Sequence, residues 1–109
     1  MAQAVFAHEG AAIDYTPGAD VAAGDVIVQG DLIGVARLDI KTGVLGALAV
    51  TGVFDFAKAT NVAYTAGQIL YWDDANNIVT TTATLNKQIG KSVRAAATTD
   101  PTVRVRMSQ

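Results

Sequence analysis

The segment Ile89-Gly90-Lys91-Ser92 carries residue types that could bind a phosphate group, because Gly-Lys-Ser ends the phosphate-binding P-loop. A complete P-loop also needs a glycine five residues before the Gly-Lys pair, and a helix directly after it. Position 85 is Leu85, and Ser92-Val93-Arg94-Ala95 alternates in polarity as a strand does. We therefore interpret this segment as a polar strand with a solvated lysine.

Acidic and amide side chains cluster at Asp73, Asp74, Asn76 and Asn77, and oxygen ligands of this kind are those that Ca²⁺ prefers. The cluster lacks the alternating ligands, central glycine and distal glutamate of a calcium-binding EF-hand loop. Asp and Asn also tolerate left-handed backbone and cap their own turns. We predict a β-turn between two strands, without a metal.

The chain has a single histidine, His8, and no cysteine. Disulfides, thiolate metal sites, catalytic thiols and most catalytic triads are therefore excluded. We interpret His8, which lies near the start of the sequence, as a surface or interface residue. We assign no catalytic residue, metal ligand or cofactor, and predict that the protein is not an enzyme.

The elements that must position these residues are β-strands. A chain of 109 residues has room for one core, and half of its residues are apolar while only 6% are aromatic. Apolar residues alternate with a period of two and nowhere keep helical spacing over three turns. We predict an all-β fold: a small single-domain β-barrel or barrel-like sandwich, with an extended N-terminal arm and turn over residues 1–20 and a barrel core over 21–109.

Turn signals separate the predicted strands at regular spacing. Gly30-Asp31 predicts a two-residue hairpin loop between Asp25–Gln29 and Leu32–Arg37. The run Val44–Lys58 predicts one long strand, or two strands bent at Gly52. Further strands are predicted at Gln68–Trp72, Ile78–Thr82, Gln88–Ala95 and Thr102–Met107.

Charge is unevenly distributed, although the net charge is only −2. Residues 1–86 hold three basic and nine acidic residues, a net charge of −6, whereas residues 87–109 hold five basic and one acidic, a net charge of +4. All aromatic residues lie in the acidic part, away from the basic residues that a single-stranded nucleic-acid site would combine with them. Without a signal peptide or an apolar run of ~20 residues, we expect synthesis in the cytoplasm and no binding to membrane or nucleic acid.

Arg104 and Arg106 share one face of the predicted strand Thr102–Met107. One interpretation is a solvated face, or an edge strand protected from aggregation by charge. The other is a contact with an acidic protein surface, such as the acidic part of a neighbouring copy. The sequence leaves both interpretations open.

Many segments, in order along nearly the whole chain, resemble those of the small capsid cement, or head decoration, proteins of tailed bacteriophages and prophages. These segments are Glu9-Gly10, Ile13–Pro17, Val21–Val26, Gly30–Ala36, Gly52–Lys58, Leu70–Asp73, Thr80–Thr84, Ile89-Gly90 and Thr102–Arg106. None is a catalytic signature, so the specificity lies in their order and extent. Some family members carry a recombinase-like label, which the incomplete P-loop does not support.

The resemblance implies a β-barrel-like structural protein that adds to the outer surface of a phage head and bridges major capsid subunits. It implies two partners, the major capsid protein and further copies of the chain in a homotrimer, and a location on the virion after synthesis in the host cytoplasm. The arm that carries Val5, Phe6 and His8 has no partner strand in the sequence. We expect it to dock on a neighbouring copy or on the capsid by strand addition.

An alternative function from another class is a small β-barrel module that binds a glycan or an oligonucleotide. Tyr71, Trp72 and Asp73 would then form a platform for stacking and hydrogen bonding. Fluorescence of Trp72, the one tryptophan, would report such a ligand.

Overall fold

The computed structural model describes residues 3–8 and 10–109, and over these residues the chain forms two antiparallel sheets and no helix. The strands are β1 (Ala12–Tyr15), β2 (Val26–Gln29), β3 (Leu32–Ala36), β4 (Gly46–Ala49), β5 (Gly52–Ala57), β6 (Ile69–Asp73), β7 (Ile78–Thr80), β8 (Lys87–Ser92) and β9 (Thr102–Met107). The first sheet has the order β1-β4-β3-β2 and the second β5-β9-β8-β6-β7. The predicted all-β fold is confirmed, as a sandwich and not as a closed barrel.

The predicted hairpin between β2 and β3 is confirmed. The two strands pair antiparallel from Gln29 opposite Leu32 to Val26 opposite Val35, so Gly30-Asp31 is the two-residue loop. Gly30 has a φ of 62°, in the left-handed region that glycine enters at no steric cost.

The apolar run from Val44 to Lys58 forms two strands in different sheets. β4 ends at Ala49, and β5 begins at Gly52, whose φ of 115° is open to glycine but strained for other residues. The prediction of two strands bent at this glycine is therefore the right one. Leu48 of β4 and Phe56 of β5 are both buried.

The strand β1 is an element that the sequence analysis placed within an arm and turn. It pairs with β4 over its whole length and forms one edge of the first sheet. Ile13 and Tyr15 are partly buried against Leu48 on the shared face of the two strands. An alternation of only four residues is too short to separate a strand from a loop by pattern. Residues 3–8 form no strand.

Two predicted strands end earlier than expected. β7 stops at Thr80, and the hydroxyl of Thr80 accepts a hydrogen bond from the backbone N–H of Thr82. β8 stops at Ser92, although the backbone N–H of Val93 still donates to the carbonyl of Arg104. Local side-chain bonds to the backbone, such as that of Thr80, compete with the ladder at the ends of strands.

The five-stranded sheet curls until its edge strands, β5 and β7, approach each other without pairing. A β-bulge interrupts the ladder between β6 and β8 at Leu70/Tyr71, and bulges increase local twist. The curl brings Phe56 of β5 against Trp72 of β6, with ring centroids 5.8 Å apart and the rings edge to face.

Two hydrophobic clusters stabilise the sandwich. The main core lies between the sheets and includes Ile33 and Val35 of β3 together with the inward-facing residues of the second sheet. The smaller cluster lies on the opposite face of the first sheet, where loop residues Val21 and Ile40 cover Leu48. Val21 and Ile40 exchange two backbone hydrogen bonds of 2.8 Å, which hold these loops together.

Gln109 links the two sheets through its side chain. Its amide oxygen accepts a hydrogen bond from the backbone N–H of Ile33 at 2.6 Å, and its amide nitrogen donates to the carbonyl of Ile33 at 2.7 Å. The same nitrogen donates to the carbonyl of Val50 at 3.2 Å. Gln109 follows β9, and its side chain therefore continues the hydrogen-bond ladder of β3 beyond the end of β4.

Candidate interaction surfaces

The Gly-Lys-Ser segment lies in β8, as the sequence analysis predicted. A methyl group built on Gly90 would lie 1.9 Å from the carbonyl oxygen of Arg106, so the glycine is required by the close approach of β8 and β9. The hydroxyl of Ser92 is buried, donating to the carbonyl of Thr65 and accepting from the N–H of Gln68. The glycine and the hydroxyl thus serve the sheet, and Lys91 is exposed.

The Asp/Asn cluster forms the loop between β6 and β7, which confirms the predicted turn. Asp73 accepts hydrogen bonds from the backbone N–H and the side-chain amide of Asn76, at 3.2 and 2.8 Å. These bonds, led by that of the side chain, lower the pKa of Asp73. Asn77 has the left-handed φ of 55° that such turns use. Over the described residues, no three potential metal-ligating side chains come together.

The proposed stacking platform of Tyr71, Trp72 and Asp73 does not exist as a surface. Neighbouring residues of a strand point to opposite faces, so Tyr71 faces outward while Trp72 points into the core. The Trp72 side chain is 4% exposed, and its indole N–H donates to the carboxylate of Asp74 at 3.0 Å. Trp72 is therefore a core residue, and it does not share an exposed face with Tyr71 as the predicted platform required.

The outer face of the five-stranded sheet, which points away from the core, carries a row of four residues across neighbouring strands. Val53 is opposite Arg106, Arg106 is opposite Lys91, and Lys91 is opposite Ile69. All four side chains are exposed. We call these residues the cationic row. At its centre, the like-charged residues Arg106 and Lys91 are direct partners in the register, an arrangement that is destabilising in a sheet.

Arg104, two residues before Arg106 on β9 and on the same outer face, is bound within the chain. Its guanidinium donates to both carboxylate oxygens of Asp55, its partner in the register, at 2.9 and 3.1 Å. This hydrogen bonding lowers the pKa of Asp55 and raises that of Arg104. The edge-strand interpretation is wrong, since β9 lies between β5 and β8. Arg106, in contrast, has no ion pair with any described residue.

Among the described residues, the basic and acidic parts of the sequence form ion pairs with each other at two places. One is the pair of Arg104 and Asp55, and the other is Lys87 with Asp31, whose pKa the ammonium group lowers through a hydrogen bond. Of the basic residues from position 87 onward, Lys91, Arg94 and Arg106 form no ion pair with the described part of the chain.

The described part of the N-terminal arm ahead of Gly10, residues 3–8, exposes large apolar side chains. Val5 is 83% and Phe6 79% exposed, and His8 is also exposed. Most proteins bury a phenylalanine or cover it with a partner. The arm is therefore a candidate contact segment. It carries three of the predicted site residues, Val5, Phe6 and His8.

A groove of about 950 Å³ lies beside β1, β4 and β5. Ala12, Ala47 and Ala49 lie on one face of β1 and β4, the face on which Val35 joins the main core. The other lining residues include Leu38 and Leu45, from the connection between β3 and β4, and Val53 and Phe54 of β5. We call it the alanine groove. Sequence reasoning missed it, because its lining residues come from β1, the β3–β4 connection, β4 and β5, which only the fold brings together.

Within the described residues there is no helix long and apolar enough to cross a membrane.

Comparison with known proteins identifies a family. The model of the phage cement protein family matches residues 7–107, which is nearly the whole chain. No curated protein and no solved structure matches the chain significantly. The chain belongs to the phage cement protein family, whose role is structural, at the phage capsid.

Proposed function

We propose that the chain binds the outer surface of a phage head and stabilises the contacts between major capsid subunits, without catalysing a reaction. The family match over residues 7–107 carries this proposal. The protein would be made in the host cytoplasm, assemble as a homotrimer and remain on the virion. Cement needs many modest contacts repeated over a lattice, and selective binding to the assembled head stabilises it by mass action.

The cationic row is the surface that we propose for the capsid contact. Arg106 and Lys91 repel each other in the free protein, and carboxylates of a capsid subunit would relieve that repulsion. The exposed Val53 and Ile69 at the two ends of the row add apolar area around the charges. Arg104 has a supporting role, because its guanidinium already binds Asp55.

The test compares two variants with the same net charge. Arg106→Gln removes one charge of the opposed pair, and Gln29→Glu makes the same change in net charge at an exposed position at the end of β2. Each purified protein is mixed with undecorated heads and sedimented. We expect Arg106→Gln to bind several-fold more weakly than wild type, and Gln29→Glu to bind as wild type does.

If Arg106 only stabilised the fold, Arg106→Gln would be less stable than wild type, and unfolding would explain weaker head binding. Removing one of two opposed like charges should instead stabilise the sheet, so we expect Arg106→Gln to unfold at a slightly higher urea concentration than wild type. Weaker head binding in a more stable variant is therefore the expected combination. Unchanged binding of Arg106→Gln, or equal weakening by both variants, would exclude the cationic row as the contact surface.

A further inference from the structure

The alanine groove combines a floor of small side chains with large exposed apolar residues around it. Leu38 is 77% and Leu45 65% exposed, and Val44 is exposed as well. Exposed large hydrophobic residues that line one concave surface mark a binding site more often than scattered ones do. The alanine floor leaves room for a bulky side chain from elsewhere.

The arm supplies such a side chain, and it begins at the groove. Ala11 and Ala12, the residues through which the arm enters β1, line the groove themselves. Phe6 nevertheless remains 79% exposed, so the arm of a chain does not bury its phenylalanine in its own groove. The molecule is elongated, with extents of 49 × 35 × 23 Å and a radius of gyration of 15.0 Å, against about 13 Å for a compact domain of this length.

We propose that Phe6 of one copy docks into the alanine groove of a second copy. Each chain then gives one arm and receives one, and both exposed apolar surfaces become covered by the same contact. An aromatic anchor in a pocket of small residues is a common centre of protein interfaces. The proposal concerns contacts between copies in solution and goes beyond the binding to heads.

Cysteine cross-linking tests this contact directly, because the chain has no cysteine of its own. A tagged Phe6→Cys variant is mixed with an untagged Leu45→Cys variant, and a short bismaleimide is added. The control replaces Leu45→Cys with Leu85→Cys, a loop residue that is 98% exposed and does not line the groove. No substituted side chain belongs to the core, and Leu38→Cys gives a second position in the groove.

Docking raises the effective concentration of the two thiols from micromolar toward millimolar. We therefore expect the product of Phe6→Cys with Leu45→Cys, or with Leu38→Cys, to form tenfold or more faster than the product with Leu85→Cys. In light scattering, the Phe6→Ser variant should have a lower mass than the wild-type assembly, while the Leu85→Ser variant should have the same mass as wild type.

Three results would overturn the proposal. The first is cross-linking at equal rates for the groove and control positions. The second is a wild-type protein that is a monomer at every concentration. The third is a double Phe6→Cys/Leu45→Cys chain that cross-links mainly within itself. The last result would show that the arm occupies its own groove. All these measurements are made without heads, so their failure is separate from a failure of head binding. A monomeric wild-type protein would contradict the proposed homotrimer as well, whereas the two cross-linking results concern the contact of the arm with the groove alone.

Discussion

Replacing Gly90 with alanine should destabilise the protein strongly, although the substitution adds only one methyl group. That methyl carbon would lie 1.9 Å from the carbonyl oxygen of Arg106 and 2.8 Å from the backbone nitrogen of Ser108. Carbon and carbonyl oxygen atoms in close contact ordinarily lie about 3.3–3.6 Å apart. The backbone of β9 would therefore have to move by more than about 1 Å, and β9 is fixed between β5 and β8.

The expected cost follows from this displacement. Overpacking of a protein interior typically costs about 1–3 kcal/mol when side chains give way, and here the obstacle is backbone. We expect Gly90→Ala to lower the free energy of unfolding by at least about 3 kcal/mol. For a domain of this size that corresponds to a fall in melting temperature of roughly 12 °C or more.

Urea unfolding followed by the fluorescence of Trp72 measures this effect. The control is Gly18→Ala, because a methyl group there meets no atom within 4 Å and Gly18 has an ordinary φ. Its stability should stay within about 0.5 kcal/mol of wild type. If Gly90→Ala were equally harmless, the close approach of β8 and β9 would be wrong, and so would our explanation of the Gly-Lys-Ser segment.

Three other side chains give separate predictions. Hydrogen bonding from Arg104 lowers the pKa of Asp55, so the stabilisation by this pair is complete above about pH 4 and is lost as pH falls through the lowered pKa. Asp55→Asn should reduce the loss of stability below pH 4, by a small amount because both side chains are partly exposed. Gln109→Ala should cost about 1–3 kcal/mol in urea unfolding, because the backbone N–H and C=O of Ile33 lose their partner. The emission of Trp72 should be blue-shifted and should not change with a panel of glycans and oligonucleotides.

Each of these predictions has an outcome that contradicts it. For the ion pair it is an unchanged dependence of stability on pH in Asp55→Asn. For Gln109 it is a stability equal to that of Ser108→Ala, a matched change at an exposed neighbouring position. A ligand-dependent shift of the Trp72 emission would return the binding-module hypothesis to consideration.

Local signals in the sequence were sufficient for much of the fold. Gly30-Asp31 predicted the first hairpin, and Gly52 marked the passage from β4 to β5, because both positions need backbone that glycine adopts most readily. The missing glycine at position 85 argued against a P-loop, and the alternation of Ser92–Ala95 predicted a strand there instead. In all these cases the determining physics acts within a few residues along the chain.

Properties that depend on distant pairing were not predictable in the same way. Arg104 and Arg106 look alike in the sequence, and only the register of β9 with β5 and β8 binds one to Asp55 and leaves the other beside Lys91. Trp72 lies in the core because its face of β6 points toward the first sheet, and the sequence does not show which face that is. The family resemblance, in contrast, was visible in the sequence and is confirmed by the family match.

Sedimentation of the wild-type protein with undecorated phage heads tests the central claim most directly. We predict that the protein pellets with the heads and reaches a saturating number of copies per head, as expected for repeated equivalent sites on a lattice. A protein that stays in the supernatant at every concentration, while the heads pellet, would contradict its function as a capsid cement.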